Sequence, residues 1–139
     1  MKYREFKDEW SKKFNALPLK AAFGKEQFER MMKEWGLTTS DEDLKKIASL
    51  GYGAFCLRSD VHLFNEHWRA QEKAEKEFFA NDDNLKDAFI EEMWNHECGY
   101  TWEFEEAIKA LDLDPKHLSK REKVCFEAAK KEFINNLKD

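Results

Sequence analysis

The sequence predicts a mostly α fold, a single compact domain of about six helices spanning residues 1–139. Three observations carry this expectation. Turn-formers are scarce, with five Gly and two Pro. Glu, Lys, Ala and Leu are abundant, which favours helices over a sandwich or barrel. Apolar residues recur at spacings of three and four along most of the chain. At 139 residues the chain is long enough to bury a core without disulfides or a metal.

The first helix is expected from about Lys2 to Ala16, where Tyr3, Phe6, Trp10 and Phe14 share a face. Pro18 stops it within an extended Leu17-Pro18-Leu19 joint. A second helix follows Gly24, with Phe28, Met31, Met32 and Trp35 as its stripe and Gly36 as its C-terminal cap. Ser40 is the expected N-cap of a third, with Asp41, Glu42 and Asp43 in the dipole-favoured first turn. Leu44, Ile47 and Leu50 form its face, and Gly51 ends it.

Residues 51–58 are the least helical stretch, a short strand or a packed loop expected beneath the helices. Ser59 or Asp60 caps a fourth helix reaching about Ala80, with Phe64, Trp68, Gln71 and Phe78 near one side. Asn81–Asn84 is turn and cap chemistry. Helix five carries Leu85, Phe89, Met93 and His96 on one face and stops near Gly99. Thr101 is placed to cap helix six, with Phe104, Ala107, Ile108 and Leu111 as its stripe. Asp114-Pro115 is a turn or helix start. Ser119 and Glu122 fit a capping box for a last helix facing inward with Phe126, Ala129, Phe133 and Leu137.

Composition narrows the function classes. The longest apolar runs fall far short of a membrane span and no signal-peptide pattern opens the chain, so a cytoplasmic protein is expected. Cys56, Cys98 and Cys125 are odd in number and lack a CxxC, which reads as buried, reduced thiols. The net charge of −5 conceals an asymmetry. Residues 36–114 hold nineteen acidic and eight basic side chains, while both flanks are net basic. Such a centre repels nucleic acid and suits a partner protein with a basic surface. The plainer alternative is that these carboxylates solvate helix faces.

The densest chemistry lies in Asn95-His96-Glu97-Cys98-Gly99-Tyr100-Thr101-Trp102. His96-Glu97 opens like the HExxH zinc helix, but the second histidine position is Tyr100, and Gly99 interrupts the helix. The sequence therefore implies no cofactor, no resident metal and no catalytic residue. The alternative is a metal-dependent hydrolase using His96 and Glu97 with His62 or His67. His62 and His67, five apart, diverge by about 140° on a helix and cannot share an ion. Cys98 near a helix C-terminus is poorly placed for a nucleophile, because the negative end of the dipole raises a thiol pKa. The Ser40–Leu50 helix, the glycine turn and the next helix superficially suggest a helix-turn-helix, but their acidity argues against DNA reading.

Surface recognition is the remaining class. Tyr100 and Trp102 flank a helix–helix turn and are preferred interface anchors. Trp102 is first expected to pack at the start of helix six, with an anchor role as its alternative. The candidate interface is His96, Glu97, Tyr100, Trp102 and Glu103, on a monomer or homodimer.

Asn95-His96-Glu97 with Tyr100-Thr101, then Glu105-Glu106-Ala107 and Leu111-Asp112-Leu113, resembles a group of small uncharacterised proteins of bacteriophages and bacterial mobile elements. Phe23–Glu29 and Gly51–Phe55 ahead of Arg58-Ser59-Asp60 extend the resemblance over roughly residues 14–113. The position after His-Glu, usually aromatic in that group, is Cys98 here. The resemblance implies no activity. It implies a small accessory protein encoded by a phage or mobile element. The acidic centre, in turn, leads to the expectation of a non-enzymatic interaction protein, with inhibition of a nucleic-acid-handling host enzyme, including an anti-defence role, as one concrete version.

Overall fold

The structure, a computed structural model, describes residues 2–137. It is mostly helical, as the sequence predicts, with eight helices and one small three-stranded sheet among the described residues. Its contacts form two compact units. The first joins the N-terminal residues up to Glu9 with the chain from Glu72 onward, and the second is Trp10–Gln71. Helix α1 (Tyr3–Asn15) and helix α4 (Val61–Phe79) each contribute residues to both.

In the second unit, β1 (Lys20–Ala21), β2 (Ile47–Gly51) and β3 (Ala54–Leu57) form an antiparallel sheet in the order β1-β3-β2. Helix α2 (Lys25–Glu34) ends as its glycine predicts. Gly36 takes φ 73°, and the N–H groups of Gly36 and Leu37 return to the Lys33 and Met32 carbonyls. Met31 and Met32 of α2 pack with Ile47 of β2 and Ala22, and Phe28 meets the Phe55 ring edge-on at 5.5 Å. In α4, His67 is buried with the Trp10 and Phe14 rings at 5.5 and 5.6 Å. Trp68, expected inward, is exposed instead.

The third helix is the main correction. Ser40 does cap it, accepting from the Asp43 N–H at 3.2 Å, but α3 covers only Asp41–Leu44. Ile47–Gly51 is a strand, with Ile47 opposite Leu57 and Ser49 opposite Phe55. Gly51, Tyr52 and Gly53 all have positive φ and turn the hairpin. This stretch is not buried as a whole, since Cys56 is fully enclosed while Tyr52 is fully exposed. A 3-10 turn at Arg58–Asp60 leads into α4.

In the first unit, α5 (Asp82–Asn95) packs along α8 (Lys120–Leu137). Asn81 caps α5 through the Asn84 N–H at 3.1 Å. The predicted capping box opens α8, with Glu122 N–H on Ser119 Oγ at 3.1 Å and Ser119 N–H on Glu122 Oε1 at 2.7 Å. Leu85, Phe89 and Met93 from α5 meet Phe126, Ala129 and Phe133 from α8 in the core. Each buried Phe or Leu here removes enough apolar surface to contribute about 2–3 kcal/mol. Arg121 reaches from the start of α8 to the Phe79 carbonyl and the Asp82 carboxylate, tying three helix ends together. Leu137, expected inward, is partly exposed at the end of α8.

Candidate functional site

Between α5 and α8 run two short helices, α6 (Cys98–Thr101) and α7 (Glu105–Lys109). The chain reaches them through two non-glycine residues in the left-handed region, Glu97 at φ 53° and Trp102 at φ 57°. Each such residue costs about 1–2 kcal/mol and persists only where its surroundings over-determine it. Here the anchors are backbone bonds and a buried thiol. The Tyr100 N–H bonds the Glu97 carbonyl at 2.9 Å, the Trp102 N–H bonds the Cys98 carbonyl at 2.9 Å, and Cys98 is fully buried. Gly99 lies against Leu137 and Phe133, where a Cβ would come within 3.0 Å of Leu137.

With Cys98 held inward, the neighbouring aromatics face out. Tyr100 is 88% exposed and Trp102 60% exposed. This corrects the core placement expected for Trp102, because the helix that was to shelter it starts later. Phe104 rather than Thr101 is the N-cap of α7, and the Thr101 hydroxyl accepts the Glu103 N–H at 3.2 Å within the turn. Trp94 is 48% exposed, one edge resting against Phe133 at 4.7 Å.

His96 is likewise not on the core face of α5. It is the C-cap, and its Nε2 lies 3.4 Å from Glu92 Oε2. Glu92 is the buried charge of this unit, 3% exposed. Its Oε1 accepts from Tyr3 Oη at 2.9 Å, Lys7 Nζ at 3.1 Å and Asn95 Nδ2 at 3.4 Å. Burial pushes this carboxyl up, but the bonds from Lys7 and Tyr3 and the Lys7 charge outweigh it and hold the pKa below the ordinary value. Burial and then the Glu92 charge push the Tyr3 phenol far up. Sequence reasoning missed this cluster. Glu92 four residues before His96 was a readable helix pair, but Tyr3 and Lys7 arrive from the far end of the chain.

Residues 91–106 hold six carboxylates and no Lys or Arg. Glu91 pairs with Arg4 at 3.1 Å and Glu92 with Lys7. Among the described residues Glu97, Glu103 and Glu105 form no ion pair, so the exposed aromatics stand among uncompensated negative charge. A cleft of about 560 Å³ adjoins them, lined by Trp102, Glu103, Phe104, Glu105, Glu106, Ile108, Pro115, Phe126 and Lys130. Of the predicted interface residues, His96 and Glu97 sit at the entry to the turn, Tyr100 at its exposed side, and Trp102 and Glu103 at the rim of the cleft.

The metal alternative finds no assembled ligand set. Among the described residues no group of three or more His, Cys, Asp or Glu side chains is arranged to hold an ion. His62 belongs to the other unit and donates from Nδ1 to the Ser59 carbonyl at 3.0 Å. All three cysteines are free and buried, and burial raises each thiol pKa, opposite to what a nucleophile needs.

The family's sequence model matches residues 2–132, nearly the whole chain. The chain belongs to the DUF7659 family. That family is described as one of unknown function. Its match takes in α1 through most of α8, so the Glu92 cluster and the aromatic turn both lie inside the DUF7659 domain. No curated protein and no solved structure matches the chain. Among the described residues no helix is long and apolar enough to cross a membrane.

Proposed function

We propose that this protein is a non-enzymatic interaction module that docks a partner protein through the Glu97–Glu103 turn. One observation carries the reading. Tyr100 and Trp102 are held outward by a strained turn, beside Glu97, Glu103 and Glu105, which form no ion pair among the described residues. A monomer rarely displays large aromatics on a rigid turn without a use for them, and Tyr and Trp are the residues that dominate interface energies. The surrounding charge selects a basic partner surface and gives association that weakens with salt. In a phage or mobile-element setting, that partner is a nucleic-acid-handling host enzyme whose phosphate-binding groove the acidic turn occupies.

The test is site-specific photo-crosslinking in cells, with the photoreactive residue placed at Tyr100 and, as control, at the fully exposed Tyr52. A discrete protein adduct at position 100, absent at position 52 and competed by excess unlabelled protein, is the expected result. Equal or diffuse labelling at both positions overturns the reading.

A further inference from the structure

We propose that the cleft beside Trp102 is a seat for one arginine side chain of the partner, a specification that rests on the docking role proposed for the turn. The walls supply what a guanidinium needs. Trp102 and Phe104 line it with aromatic side chains, and Glu103, Glu105 and Glu106 with acidic ones. Among the described residues, only Glu106 of these three forms an ion pair, with Lys109 at 3.5 Å. Cation–aromatic pairing is already present in the cleft. The Lys130 ammonium lies over the Phe104 ring at 4.8 Å, so the chain's own lysine already occupies one aromatic face.

The remaining face, Trp102, is without such a cation among the described residues, and it stands next to Glu103. Arginine fits this geometry better than lysine. Its plane stacks on an indole while its forked N–H groups bond carboxylates in pairs. The cleft volume of about 560 Å³ admits the side chain with its aliphatic stem. Three carboxylates against one resident ammonium leave the cleft net negative.

The experiment is a titration of the full ¹⁵N-labelled chain with an acetylated, amidated Gly-Gly-Arg-Gly-Gly peptide and its citrulline counterpart, which keeps the shape and removes the charge. Five indole N–H signals report on the five tryptophans separately. The expected result is a saturable shift of the Trp102 indole with the arginine peptide, about tenfold weaker with citrulline. Glu103→Gln combined with Glu106→Gln weakens the arginine peptide by about the same factor. Lys130→Gln tightens it more than Lys131→Gln, an equal change in net charge one position away. Equal response to arginine and citrulline, or shifts confined to other tryptophans, overturns the seat. A partner captured at position 100 whose binding is indifferent to excess arginine peptide also overturns it, while leaving the docking role of the turn standing.

Discussion

Replacing Glu92 by Gln probes the buried charge that anchors α1 to α5. The carboxylate is 3% exposed and accepts from Tyr3, Lys7 and Asn95 through one oxygen. Hydrogen bonds to a charged group contribute about 1.5–3 kcal/mol each, against about 1 for neutral pairs. The Lys7 side chain is 51% exposed, so its pair is screened and contributes under about 1 kcal/mol. The Tyr3 bond is buried and carries most of the loss. The variant should therefore be about 2 kcal/mol less stable at pH 7. Because the folded pKa of Glu92 lies below the unfolded value, its contribution is present above the ordinary 4.5 and is lost as pH falls through the folded pKa. Urea unfolding of both proteins at pH 7, 5 and 3.5 reads this directly. The gap should hold from pH 7 to 5 and close on acidification. Equal stabilities at pH 7, or a gap that widens in acid, would refute the assigned network.

Glu97→Gly relieves a left-handed non-glycine residue and should stabilise the chain by about 1 kcal/mol, measured by urea midpoint. A loss of stability would mean the Glu97 side chain contributes more than its backbone costs. Ser119→Ala removes half of the capping box on α8 and should cost about 1 kcal/mol, while Ser119→Asp keeps the cap and should cost little. The three thiols should resist a disulfide-exchange reagent in the native protein and all react in denaturant; rapid native labelling of one would contradict its burial.

The helical elements were legible where one face repeats against one core. Phe89 and Met93, Phe126 and Phe133, and the Ser119–Glu122 box follow from spacing alone. The Ile47–Gly51 strand was not, because Leu44, Ile47 and Leu50 also sit at spacing three and so mimic a helix. The better signal was the Gly51-Tyr52-Gly53 turn between two apolar runs, which is hairpin chemistry. Trp102 was misplaced because spacing cannot see that the chain leaves α6 in a left-handed conformation. The Glu92 cluster joins residues more than eighty positions apart, a pairing that no local pattern encodes.

Trp102→Gly asks whether the exposed turn is a docking surface. Glycine suits the left-handed backbone at position 102, so the fold is retained while the indole is lost. Against the partner captured at position 100, binding should weaken about thirtyfold, the loss of about 2 kcal/mol typical of an interface anchor, with unfolding unchanged within about 1 kcal/mol. An unchanged dissociation constant in a folded Trp102→Gly protein would contradict the account.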